Sequence, residues 1–115
     1  MTLALRWTDL GNRMPSEREQ RALEALETAR ARVGAIDDQL VTLLAERQRL
    51  ARNIGTLKRE AGRPVLDPAR EAAVLRRVTE GARAIGLDED DVREVWRKIL
   101  AMARKAQVDE SGAPT

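Results

Sequence analysis

Three long cations and three polar acceptors interrupt the apolar stripes of this chain. Arg30 lies between Leu26 and Val33, Arg47 lies between Leu43 and Leu50, and Lys58 follows Ile54 by four residues. Further on, Glu71 precedes Leu75 by four, Gln107 follows Ala103 by four, and Asp67 stands at the head of the stripe that contains Glu71. A charge placed in an apolar seam without a partner is costly, so these groups must pair with each other or with a ligand. Arginine forks match carboxylates two bonds at a time, and a lysine ammonium adds a compact point charge. The chemistry this set could do is to hold a small anion and stabilise charge on it. Taken singly, each cation could snorkel or form a structural ion pair. Asp67 could be only a helix cap, Glu71 could merely complement a helix start, and Gln107 could be solvated. The case rests on the six together.

The residue inventory narrows the chemistry further. Among 115 residues there is no Cys and no His, and the only serines, Ser16 and Ser111, lie near the ends. Disulfides, thiolate metal sites, and Ser–His or Cys–His nucleophiles are excluded. Catalysis, if any, must come from Arg, Lys, Asp, Glu and Gln, through electrostatic placement rather than a covalent intermediate. Lys and Arg number 21 against 19 Asp and Glu, with the signs interspersed. That mixture is not a nucleic-acid-binding arm. No apolar run approaches the ~20 residues that span a bilayer. The start, Met1 to Trp7, is too short and too soon charged for a signal peptide, so the expected location is cytoplasmic.

The elements that must position these residues are helical. Ala, Leu, Arg and Glu dominate, and aromatics are 2%, a composition that favours an all-α fold. Residues 1–15 show no period and read as a flexible leader. Ser16 and Glu19 form a capping box, and a seam then runs through Leu23, Leu26, Val33, Ile36, Leu40, Leu43, Leu50, Ile54 and Leu57. Its steps near three and four predict one helix from about 17 to about 60 that stops at Ala61-Gly62-Arg63-Pro64. Asp67-Pro68 opens a second helix, with Glu71, Val74, Leu75, Val78 and Ala82 on one face, that ends near Gly86. Asp88 caps a third, expected to bury Val92, Val95, Trp96, Ile99 and Ala103 and to end near Gln107. Residues 109–115 read as a disordered tail, which leaves 16–108 as the domain.

A first helix of that length is roughly 65 Å long, whereas a compact domain of this size has a radius of gyration of only about 13 Å. Its apolar seam therefore needs a partner, and a twofold dimer is the commonest solution. Arg47 and Lys58 are eleven residues apart; about three turns and roughly 16 Å separate them on one face, so their heads can converge on a small anion. Arg30 lies about 25 Å before Arg47, too far to share that ligand on one helix. In an antiparallel dimer, Arg30 of the partner subunit can approach Arg47.

From Leu26 to Gln107 the chain resembles the all-helical chorismate mutase family. The matching pieces keep their order: Arg30 with Ile36-Asp37, Leu43-Leu44-Ala45-Glu46-Arg47, Ile54-Gly55-x-x-Lys58, Arg63-Pro64-Val65-x-Asp67-x-x-Arg70-Glu71, Gly86-Leu87-Asp88, and Gln107. The resemblance implies three helices per chain, intertwined with a second copy. It implies an isomerase of the shikimate pathway that turns chorismate into prephenate, on the way to Phe and Tyr. That reaction is a [3,3] Claisen rearrangement, which needs a held dianion rather than a nucleophile, metal or cofactor. By the same resemblance, Arg47 and Arg30 of the partner subunit would clamp the carboxylates. Lys58 and Gln107 would bond the ether oxygen, Asp67 and Glu71 the ring hydroxyl, and Arg70 would support them. Ala103 departs from the pattern, which has a small hydroxyl there; a looser hold on a carboxylate is expected. The same fold also serves an isochorismate-pyruvate lyase. Short mutases of this kind associate with the first enzyme of the pathway, 3-deoxy-arabino-heptulosonate 7-phosphate synthase, so a weakly active mutase or a regulatory partner is a further alternative.

Overall fold

The structure, a computed structural model, describes residues 13–112, with side chains to Val108. The first twelve residues of the expected leader and residues 113–115 of the expected tail lie outside the described part. Three helices follow one another: α1 (Glu17–Glu60), α2 (Pro68–Ala84) and α3 (Glu89–Gly112). No strand occurs among the described residues, in line with the all-α expectation.

Local chemistry sets each helix start. The Glu19 amide donates to Ser16 Oγ at 3.1 Å and the Ser16 amide to Glu19 Oε1 at 3.4 Å, which completes the capping box. Arg13 adds two hydrogen bonds to the Glu19 carboxylate, at 3.0 and 3.1 Å. These bonds from Arg13 and Ser16 hold Glu19 well below the usual carboxylate range, at about 2. Asp67 Oδ1 accepts from the Arg70 amide at 3.1 Å, and Asp88 Oδ1 from the Asp91 amide at 2.9 Å.

Both α1 and α2 end on the same backbone device. Gly62 (φ 68°) and Gly86 (φ 80°) take the left-handed conformation that other residues adopt only at a cost. The next amide reaches back to the third residue from the helix end, Arg63 to the Lys58 carbonyl at 2.8 Å and Leu87 to the Ala82 carbonyl at 2.9 Å. This is the Schellman closure. Across the second turn, the Arg83 guanidinium clasps both Glu89 oxygens at 2.9 and 3.0 Å. Those bonds hold the Glu89 carboxyl below its ordinary value.

The chain divides into two units, residues 1–41 and 42–115. In the first, every side chain from Gln20 to Val41 is exposed, including the seam residues Leu23, Leu26, Val33, Ile36 and Leu40. The second unit holds the core, and the core is made of small residues. Ala51, Ala103 and Ala106 form one buried cluster, and Gly55 on α1, Thr79 and Ala82 on α2 and Leu100 on α3 are also buried. Small side chains let α1 and α3 approach closely: a Cβ added at Gly55 would lie 3.1 Å from the Gln107 Cα and 3.2 Å from its carbonyl oxygen. Two side chains bolt the same contact. Gln48 Nε2 donates to the Met102 carbonyl at 3.2 Å, and Arg59 Nη1 to the Gln107 carbonyl at 3.3 Å. The buried Thr79 hydroxyl is satisfied by the Leu75 carbonyl at 2.8 Å.

Two expectations for α3 change. The helix continues past Gln107 to Gly112, because nothing before Gly112 and Pro114 breaks it. Its deepest side chains are Leu100, Ala103 and Ala106; Val95, expected in the core, is 52% exposed. The residue spacing read one apolar stripe, but α3 packs on two helices. Val92, Trp96 and Ile99 are half-buried, and the tightest contact is the neighbouring sector that meets α1.

Two outcomes follow. Glu19 has its carboxyl lowered from 4.5 to about 2, so its support of the first turn is complete above pH 4.5 and is lost as the pH falls towards 2. Carbon-13 titration of Glu19 should show that low midpoint, with the helical shifts of residues 17–20 fading in step; an ordinary midpoint would refute the cap. Gly34, with nothing within 4 Å of an added Cβ, should gain up to ~1 kcal/mol on replacement by Ala. Gly55→Ala should gain nothing or lose stability in the same denaturant titration, and an equal gain at both sites would refute the close contact.

Candidate functional site

A cavity of about 440 Å³ opens within the second unit, between the second part of α1, the start of α2 and the C-terminal half of α3. Its apolar wall comes from Leu50, Ala51, Ile54, Val74, Leu100 and Ala103. Its polar groups are Arg47, Lys58, Asp67, Arg70, Glu71, Arg104 and Gln107. Four cations face two carboxylates, which leaves a surplus of two positive charges in a largely apolar hollow. Such a place suits a small ligand carrying two negative charges.

Each polar group has a defined mount. Lys58 is on the last turn of α1, and its side chain is only 19% exposed. The Gly62 turn brings the following loop back over it, so that Nζ donates to the Val65 carbonyl at 3.0 Å and lies 3.6 Å from Asp67 Oδ2. An ammonium has three donors, so one remains for a ligand. Asp67 is doubly engaged, with Oδ1 on the Arg70 amide and Oδ2 towards Lys58. Its first task here is to start α2 and to fix Lys58.

Glu71 lies one turn further on. Its Oε1 accepts from Arg104 Nη1 at 2.5 Å, and its Oε2 accepts from none of the described residues. Arg47, half-buried on α1, makes no ion pair with any described residue. The Arg70 guanidinium also has no carboxylate partner among them. Gln107 is held by its backbone, through Gly55 and Arg59, which leaves its side-chain amide without a hydrogen bond to the described residues.

Of the residues singled out in the sequence, this cavity brings together Arg47, Lys58, Asp67, Arg70, Glu71 and Gln107. Arg30 is exposed in the first unit and does not line it. The sequence reading missed Arg104. The available signal was its place three residues before Gln107, one turn away on the same helix face. Among the described residues there is no cluster of three acidic side chains that could hold a metal ion, and no helix is long and apolar enough to cross a membrane.

Comparison with known proteins gives the family of the chain. Residues 29–108 match the family described as chorismate mutase type II. The chain is 31% identical, over 78 residues, to a chorismate mutase of Methanocaldococcus jannaschii, covering 68% of this chain and 79% of that protein. It is 31% identical over 78 residues to the T-protein of Haemophilus influenzae, covering 68% of this chain but 21% of that protein. With the bifunctional chorismate mutase/prephenate dehydratase of Escherichia coli it shares 35% identity over 71 residues, 62% of this chain and 18% of that one. The chain thus spans about a fifth of the length of these longer relatives. The family match covers Arg47, the close contact of Gly55 with Gln107, and every residue lining the cavity, and the chain belongs to the chorismate mutase type II family.

Proposed function

We propose that this chain is a chorismate mutase, an isomerase that rearranges chorismate to prephenate in aromatic amino acid biosynthesis. The observation that carries the reading is the cavity with two surplus positive charges and an unengaged amide in a chain of this family. A pericyclic rearrangement breaks an ether bond and forms a carbon–carbon bond with no proton to move. The protein has to hold the compact reactive conformer and stabilise negative charge growing on the ether oxygen. Arg47, free of carboxylate partners, takes a substrate carboxylate through its fork. Lys58, with its one spare donor, and Gln107, with its free amide, bond the ether oxygen from α1 and α3. Glu71 accepts the ring hydroxyl on Oε2. Asp67 faces the same region but is committed mostly to Lys58, and Arg70 adds positive charge at the rim. No metal or cofactor enters this scheme.

The site is completed by a second copy of the chain. A helix segment whose seam of Leu23, Leu26, Val33, Ile36 and Leu40 is wholly exposed has little to stabilise it alone, and two such seams cover one another. In that dimer, Arg30 of the partner subunit reaches the second substrate carboxylate. A cytoplasmic location, and association with 3-deoxy-arabino-heptulosonate 7-phosphate synthase, belong to the same reading and rest on the family resemblance.

The direct test is to follow loss of chorismate absorbance and to identify the product. Wild type should form prephenate, and Arg47→Ala should be at least about a hundredfold slower, nearly 3 kcal/mol of barrier. Pyruvate release from isochorismate, without prephenate from chorismate, would replace the reading by the lyase. Subunit mixing tests the shared site. Arg30→Ala and Arg47→Ala should each be nearly inactive, and an equilibrated mixture should regain about a quarter of wild-type activity, because a twofold heterodimer rebuilds one intact site. A mixture no better than its components would refute the exchange of Arg30.

A further inference from the structure

Arg104, like Lys58 beside Asp67, already holds an anion inside the cavity. It stands on α3 three residues before Gln107, and its Nη1 meets Glu71 Oε1 across the gap between α3 and the first turn of α2. The Glu71 side chain is 26% exposed and that of Arg104 44%, so the bond lies at the cavity wall rather than out in solvent. An unpaired carboxylate there would repel a dianionic ligand. It would also be free to turn through several rotamers, so that ordering it would cost binding energy. The ion pair removes both problems. One oxygen is fixed, and the other is presented as an ionised acceptor.

We propose that Arg104 is a positioning residue for ligand-hydroxyl recognition: by tying down Glu71 Oε1 it aims Oε2 at the ring hydroxyl of the substrate. The reading rests on the mutase assignment above. Arg104 itself touches no reacting atom, so its effect must pass through Glu71, and that sets the test. Arg104→Met keeps most of the stem and removes the fork. It should raise KM for chorismate by about tenfold, the order expected for losing one charge-assisted hydrogen bond, and should change kcat by less than about threefold, since the hydroxyl is held alike in ground and transition states. Arg104→Lys should recover most of the loss.

In a Glu71→Gln background, Arg104→Met should raise KM no further, because the group through which it acts is gone. A chorismate analogue lacking the ring hydroxyl should be turned over with a KM that Arg104→Met raises much less than it raises that for chorismate, since only the charge repulsion and not the lost hydroxyl contact remains. Equal penalties in both backgrounds, or an equal penalty on the deoxy analogue, would overturn the proposal and make Arg104 a direct or merely structural contact. Calorimetric binding of prephenate, a dianion that carries the same hydroxyl, separates this from the function itself. An inactive wild type that binds prephenate with the same non-additive pattern sinks the mutase reading and supports the positioning role. A wild type that neither turns over chorismate nor binds prephenate sinks both. Matching melting temperatures for Arg104→Met and Arg104→Lys assign the KM change to the pair rather than to folding.

Discussion

The near-contact of α1 and α3 at Gly55 and Gln107 is the constraint on which the rest of the second unit depends. Two helix backbones come this close only where side chains are nearly absent, and Ala51, Gly55, Ala103 and Ala106 provide that absence. The contact fixes the height and rotation of α3. It thereby decides that Gln107 faces the same hollow as Arg47 and Lys58, and that Arg104 points towards α2. The bonds from Gln48 and Arg59 to α3 carbonyls hold it from sliding along α1. The helices are placed by backbone and by small residues, which leaves the long polar side chains free to meet a ligand.

The charges follow a similar division of labour. Some ions in the cavity are occupied with one another and serve to aim their neighbours: Asp67 starts α2 and steadies Lys58, and Arg104 steadies Glu71. Others, Arg47 and Arg70, have no counter-ion among the described residues. A wholly paired cavity would bind anions poorly, and a wholly unpaired one would be expensive to bury. The observed mixture retains a surplus of two charges while giving its most enclosed ammonium, that of Lys58, two oxygen neighbours.

Much of this was legible in the sequence because it is written in local rules. The caps at Ser16, Asp67 and Asp88 and the stops at Gly62 and Gly86 are decided by a few neighbouring residues, and polar residues within apolar stripes marked out Arg47, Lys58, Glu71 and Gln107. What was not legible depended on how three helices meet. Val95 is exposed and Leu100 buried because α3 serves two neighbours, and a stripe cannot say which sector presses hardest. Arg104 went unnoticed, since its partner Glu71 is thirty-three residues away in the chain. The Gly55 contact left only a trace, a glycine inside a strong helix, whose meaning comes from the helix lying across it.

The small-residue core also has a consequence for how this chain tolerates change. Cores of leucine and phenylalanine fail when side chains are shortened, because truncation leaves a void. Here the buried apolar residues are Ala51, Ala82, Leu100, Ala103 and Ala106, so almost nothing remains to truncate, and the hazard is enlargement. Even one added methyl group at Gly55 must push the α3 backbone rather than a flexible side chain. For stability, sequence drift in this protein is thus filtered from one side: the close approach of α1 and α3 at Gly55 is confined to the smallest residues of the genetic code.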